Sequence, residues 1–274
     1  MNRLTAAVLA TALSAGALAG CASSTAGSAT APGGATAATD ARPADGGALI
    51  GRMHARYAGK WYRTLTFVQE VYFANGRPTE TWYEAGMIPG KLRIDHAPID
   101  SANMSLYSGD SAYTFRRGNL VAARKDRNIL MTLGFDVYGQ DPATTVAQLR
   151  EKGIDLSVLS EGTWQGKAVW IVGAMAGDSS VSQFWVEKDR LLFVRVLEHD
   201  TNPNNGQKTL IDAEFNKYQP LGGGWIAPEV VLRINGKDYF REVYRDIRAD
   251  PTLPAGLFLT TEYRRPPWTG SGSQ

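Results

Sequence analysis

The chain has 274 residues, 43% hydrophobic and 20% charged, with 29 Lys and Arg against 27 Asp and Glu for a formal net charge of +2. This is an ordinary globular balance without a long basic run, which argues against a dedicated nucleic-acid binder. A single cysteine, Cys21, leaves no partner for a disulfide and no cysteine cluster for a metal, so the fold must rest on its core.

That cysteine ends the run Leu18-Ala19-Gly20-Cys21, behind Arg3 and an apolar, small-residue stretch from Leu4 to Ala19. A positive start, a short apolar core and small residues at the cut describe a secretory signal peptide over residues 1–20. A cysteine directly after the cut makes it a lipoprotein signal, because only a thiol can take the thioether-linked diacylglycerol there. The four residues resemble the bacterial lipobox, and Cys21 is the expected lipidation site. Two or more acyl chains, palmitate among them, anchor stably where one would not. Ala22 follows the cysteine, with no Asp to signal inner-membrane retention, so the expected location is the outer membrane, facing the periplasm.

Residues 21–47 continue as an Ala/Gly/Ser/Thr tether with a coil dimension of roughly 25–30 Å. A single domain is expected over 48–262, and 263–274, with Pro266-Pro267-Trp268 and a Gly/Ser end, reads as a loose tail. The domain opens with an amphipathic helix, Ala48–Tyr57, placing Ile50, Met53 and Tyr57 on one face. Strand alternation then dominates. One face of 65–73 carries Leu65, Phe67, Val71 and Phe73. Asn75-Gly76 marks a turn. The next strand, Thr79–Met87, sets Thr81, Tyr83, Ala85 and Met87 against Glu80, Trp82 and Glu84; Tyr83 and Met87 are read as inward, Glu70 and Glu84 as surface. Strands follow at Lys91–His96, Met104–Tyr107, Ala112–Arg116 and Leu120–Ala123.

Two helices interrupt the series. Asn128–Tyr138 is apolar nearly all round, with Leu130, Met131, Leu133 and Phe135, and a helix of that kind must be buried. Asp141 caps and Pro142 starts the next, which runs to about Lys152. The later strands are Ala168–Val172, Ser182–Glu187 (holding Phe184 and Val186), Leu191–Glu198, Thr209–Tyr218, Glu229–Ile234 and Tyr239–Ile247. Short strands between turns form an antiparallel meander, hence a barrel or a strongly curved sheet, and the apolar helix belongs over its concave mouth.

No catalytic or metal pattern appears. His54, His96 and His199 lack ligand spacing, the 200–206 segment misses the calcium-loop glycine and bidentate acid, and neither a Gly-x-Ser-x-Gly elbow nor a phosphate loop occurs. No cofactor and no enzymatic activity are expected.

The order of short motifs resembles the LolA/LolB family of bacterial lipoprotein carriers and receptors. It begins with the amphipathic helix and Phe67-Val68-Gln69. Pro89-Gly90-Lys91-Leu92-Arg93 and Gly109-Asp110 before Tyr113 and Phe115 come next. The apolar mid-chain helix, Gln183-Phe184-Trp185-Val186-Glu187-Lys188-Asp189 and Pro254-Ala255-Gly256-Leu257-Phe258 complete the series. The resemblance implies a mainly β, α+β fold, an unclosed antiparallel β-barrel of about eleven strands with a helical lid. It also implies an apolar cavity for acyl chains of a lipid or lipoprotein, and an arginine just before the turn proline that latches the lid; here that position is Ile88. The expected cavity wall is Leu65, Phe67, Tyr83, Met87, Phe184 and Val186, closed by Leu130, Met131, Leu133 and Phe135. The expected protein is a membrane-tethered monomer in lipid or lipoprotein trafficking, with a further protein partner in the envelope; the alternative is a regulatory or scaffold lipoprotein whose barrel is filled by its own side chains.

Overall fold

The structure is a computed structural model and describes residues 41–201 and 205–267. Cys21, the leader, most of the tether and the last residues lie outside the described residues.

Among the described residues fifteen strands are formed: β1 Thr64–Phe73, β2 Glu80–Met87, β3 Lys91–His96, β4 Met104–Ser108, β5 Ser111–Arg116, β6 Asn119–Lys125, β7 Leu159–Trp164, β8 Lys167–Val172, β9 Gln183–Glu187, β10 Leu192–Thr201, β11 Lys208–Asn216, β12 Gln219–Leu221, β13 Gly224–Ile226, β14 Glu229–Ile234 and β15 Lys237–Ala249. Thirteen of them make one unclosed sheet in the order β6-β5-β4-β3-β2-β1-β15-β14-β11-β10-β9-β8-β7, with β12 and β13 as a separate ribbon. The sheet is antiparallel throughout, as the meander predicts, but it is longer than the expected eleven or so strands. The sequence reading misses β7, whose Ser-Glu-Gly-Thr core alternates weakly. Its Gly162 packs closely on β8, where a Cβ would stand 2.9 Å from the tip of the Ile171 side chain.

Along β1 the inward residues are Leu65, Phe67, Gln69 and Val71. A bulge opposite Thr66 and Val68, with Asp246 of β15 at φ 53°, bends the pair and helps the sheet to curl. Three helices belong to the inner side. Helix α1, Gly46–Tyr57, is capped by Asp45, whose Oδ1 accepts from Ala48 N at 2.7 Å, and buries Leu49, Ile50, Met53 and Tyr57. The apolar stretch expected as one helix over Asn128–Tyr138 forms a short helix α2, Ile129–Gly134, then a 3-10 turn, Asp136–Tyr138. Asn128 Oδ1 caps it by accepting from Leu130 N and Met131 N. Helix α3, Pro142–Glu151, begins as read: Asp141 Oδ1 accepts from Ala143 N at 2.7 Å.

The main core joins α1, α2 and the 3-10 turn to the inner face of β8–β11, with Leu49, Leu133, Val137, Phe184, Val186, Phe193 and Val196 fully buried. A second core lies on the outer face of β2–β5, where Ala85, Met104, Leu106 and Phe115 are covered by Leu257 and Phe258 of the C-terminal segment. Arg93 holds that segment. It is 1% exposed, and all three of its guanidinium nitrogens are bonded: Nε and Nη2 to Asp95 at 2.7 Å each, Nη1 to Leu257 O at 2.9 Å, and Nη2 also to Arg264 O at 2.5 Å. The Tyr263 ring lies 5.2 Å from the guanidinium. Ordered contacts thus run beyond the expected 48–262 at both ends. Arg42 donates to Leu159 O at 2.5 Å, and Arg265 pairs with Asp100 at 2.8 Å.

Removing one member of a buried ion pair strands the other, at about 3–5 kcal/mol. Arg93→Leu is expected to lose stability on that scale in urea unfolding and to expose residues 250–265 to protease, while Arg93→Leu combined with Asp95→Leu recovers most of the loss. A surface-like effect below about 1 kcal/mol in the single variant would show that the C-terminal segment is held otherwise.

Candidate functional site beneath the lid

Helix α2 and the 3-10 turn lie over the inner face of the sheet. Ile129, Leu133, Val137 and Tyr138 are buried in the main core. Gly134 sits so close to β11 that a Cβ would meet the Phe215 ring at 2.5 Å. The C-terminal end of the lid is pinned by aromatic rings: Tyr138 stacks on Trp61 at 4.0 Å, meets the edge of Tyr57 at 5.4 Å, and accepts from Phe193 N at 2.9 Å.

The opposite edge of the lid is less committed. Met131 and Phe135 face Leu65, Phe67, Gly86 and Ile88 across an apolar cleft of about 260 Å³ that includes its open mouth. The void proper is about 20 Å³, room for one or two waters. One polar contact spans the cleft's end: Gly90 N in the turn after β2 donates to Asp136 Oδ1 at 3.0 Å. The link between lid and turn is therefore made from the lid, by a carboxylate, whereas the resemblance implies an arginine at position 88. Ile88 is instead 7% exposed and part of the cleft wall. Burial pushes the Asp136 carboxyl up to about 6, against the Gly90 bond and the charge of Arg127.

Of the residues expected to form the site, Leu65, Phe67, Met131 and Phe135 are brought together in the cleft. Leu133, Phe184 and Val186 are wholly buried in the adjoining core, and Leu130 packs against it while half-buried. Tyr83 and Met87 are on the other face of the sheet. Phe67 stands opposite Glu84 and Leu65 opposite Gly86, so the inner residues of β2 are Glu84 and Gly86. Tyr83 is opposite Val68 and Asp95, and Met87 is 38% exposed. Strand β2 has large apolar groups on both faces, so its pattern leaves the choice of face open; one step of register moves every side chain across the sheet. The same inversion overturns the surface reading of Glu84, which is 4% exposed. The sequence reading also missed Gly86, Ile88 and Asp136 as cleft residues.

No family model matches this chain, and no curated protein matches it. Among solved structures it is similar to a DUF1329 family protein from Desulfovibrio piger (15% identity, 78% of this chain and 95% of that chain, TM-score 0.49). It is similar to a LolA superfamily protein from Nitrosomonas europaea (10% identity, 78% and 97%, TM-score 0.48). A domain from Vibrio parahaemolyticus assigned to outer membrane lipoprotein sorting is a further likeness (13% identity, 77% and 94%, TM-score 0.49).

The raised Asp136 pKa fixes a pH signature. A carboxyl at about 6 in the fold and 3.8 when free favours the folded state only while protonated. Its contribution is complete below pH 4 and lost as pH rises through 6, about 3 kcal/mol in all. Glu242, raised to about 7, acts in the same direction, whereas His96, lowered to about 4, acts in the opposite one. The clean measurement is therefore a difference. Asp136→Asn is expected to be more stable than wild type by about that amount at pH 7, with the gap closing toward pH 4. A gap independent of pH would refute the assignment.

Proposed function

We propose that this is an envelope lipid-binding lipoprotein, anchored through Cys21 and facing the periplasm from the outer membrane, that receives an acyl chain of a lipid or lipoprotein beneath its lid. The supporting observation is the cleft itself, where Leu65 and Phe67 of the sheet face Met131 and Phe135 of the lid. The lid is pinned at one end by Tyr138 and fastened near the cleft by the Asp136–Gly90 contact. A void of about 20 Å³ does not hold an acyl chain, so entry requires the free edge of the lid to swing away. The driving force is then apolar burial at about 0.8 kcal/mol per CH₂, which lets the site compete with a bilayer without any catalytic step. Among the described residues no helix is long and apolar enough to cross a membrane, which leaves the tether as the membrane connection in this reading.

A second reading, a docking or sensing scaffold, is favoured by the way Phe184, Val186, Phe193 and Phe215 fill much of the concavity. Gly86 separates the two. A side chain there meets only ordinary contacts at its Cβ, 3.8 Å from Leu65 Cβ and from Lys91 O, and grows into the cleft. With the full chain carrying Cys21→Ser to remove the anchor, wild type is expected to bind a fluorescent fatty acid, and Gly86→Leu to weaken binding about tenfold or more with native circular dichroism. A wild-type protein that does not bind supports the scaffold instead. Cys21→Ser is itself expected to abolish metabolic labelling by a palmitate analogue; a labelled variant would sink the anchor.

A further inference from the structure

The inner face beside the cleft is polar. Glu84 stands opposite Phe67, two residues along β2 from Gly86, both of which line the cleft. On the far side of β1, Glu242 of β15 stands opposite Val71, and Tyr244 opposite Gln69. Glu84, Gln69 and Glu242 are 4%, 2% and 9% exposed. On this strip Tyr244 OH is spent on Glu242, donating to its Oε2 at 3.1 Å, and the Gln69 side chain also acts to lower that carboxyl. Glu84 Oε1 is buried with no hydrogen-bond partner.

An unpartnered buried acceptor carries a desolvation penalty that an apolar residue at the same place would avoid. Burial pushes the Glu84 carboxyl well up, with the charge of Glu242 adding to the shift, and Glu242 itself is raised to about 7. At rest the pair thus sheds charge by holding protons. Among the described residues no third His, Cys, Asp or Glu joins them to hold a metal ion. What the strip lacks is a donor with positive charge, and an ammonium group supplies three donors and no acceptor.

Building on the acyl-binding reading above, we propose that the ligand is a cationic amphiphile whose primary ammonium is received by Glu84, with Glu242 as the second negative charge, while its alkyl chain occupies the cleft between Phe67 and Phe135. The ammonium would displace the protons held by the two carboxyls into solvent. Head and chain are then recognised by adjacent parts of one strand pair. The other titratable groups facing this strip are Tyr107 of β4, Tyr244, His96 of β3, Asp126 beside Arg124 at the end of β6, and Glu80 of β2, which stands opposite Val71 and is already paired with Arg77 at 2.5 Å. Tyr107 is pushed up to about 12 by burial, and Tyr244 well up, so neither changes charge near neutrality. His96 is lowered to about 4, and Asp126 already has Arg124 as its counter-ion at 2.8 Å.

The test uses the full chain with Cys21→Ser and calorimetric titration with dodecylamine and dodecan-1-ol, which share a chain and differ in the head. At pH 8 the amine is expected to bind about ten- to a hundredfold more tightly, the range for a charge-assisted hydrogen bond. The ratio should fall toward one at pH 5.5 and in Glu84→Gln, an isosteric change that removes the charge without opening a cavity. Amine and alcohol binding alike at pH 8, or a Glu84→Gln protein that keeps the preference, overturns the headgroup inference and leaves the acyl reading standing. If neither probe binds, the acyl reading fails and this inference with it. Two sources of the same chemistry are then compared, lysophosphatidylethanolamine and a diacylglyceryl-cysteine peptide, each with its amine free or acetylated. A loss of binding on acetylation in either identifies the source, and indifference to acetylation in both counts against the proposal.

Discussion

A sheet of thirteen strands that does not close on itself must curl, and curling creates an inside that strand side chains alone cannot fill. The helices answer that constraint. Helix α1 and the lid enter the concavity from opposite ends of the first half of the chain. They meet through the Tyr57, Trp61 and Tyr138 rings. The inner face is thereby divided. Over β8–β11 it is a close-packed apolar core continuous with the lid, where Gly134 against Phe215 leaves no spare space. Over β1, β2 and β15 it is a strip of Gln69, Glu84, Glu242 and Tyr244, and the lid's free edge stands above the border. The cleft lies at that border because the lid packs on one half only.

The outer face shows the same economy. Two stretches that read as separate motifs, Pro89 to Arg93 and Pro254 to Phe258, turn out to be partners: the Arg93 guanidinium bonds Leu257 O, and Leu257 with Phe258 covers Leu106 and Phe115. The side chain that fastens the tail therefore begins three residues after the turn whose Gly90 N–H fastens the lid. One short segment, 88–93, contributes the cleft wall through Ile88, the lid contact through Gly90 and the tail clamp through Arg93. Inner and outer coverings of the sheet are tied to the same turn, so a shift of that turn bears on both.

Much of this was legible in the sequence because it depends on local rules. Strand alternation placed twelve of the fifteen strands, β3 and β14 with both ends correct. Asp141-Pro142 named a helix start, and the all-round apolarity of 128–138 named an element that had to be buried. What escaped depends on pairing. The inward face of β1 is clear because its outer face is polar. The inward face of β2 is not, because Ala85 on its outer face has an apolar covering of its own in the C-terminal segment, some 170 residues later in the chain. Reading Tyr83 and Met87 as inward followed from assuming that only the concave side hides apolar groups. The same assumption sent Glu84 to the surface. Asp136 escaped for a related reason: within an apolar helix it looks like a stray acid, and its partner Gly90 N is distant in sequence.

The buried acids are where local reasoning fails, and failures of that kind cluster at strained or functional positions. An apolar cleft on its own selects weakly, since apolar burial is non-directional and each CH₂ adds the same small increment whatever the molecule carries it. A buried acceptor beside it changes the discrimination, because a ligand lacking the matching donor leaves the desolvation penalty in place while one that has it removes the penalty. Asp136, Glu84 and Glu242 all have raised pKa values and all lie within or beside the cleft region, so near neutral pH the resting fold carries an electrostatic cost there. A cationic head would relieve the two glutamates, and displacement of the lid edge would return Asp136 to water. Ligand entry and lid movement would then be coupled through the same electrostatic source, without a hinge built for the purpose.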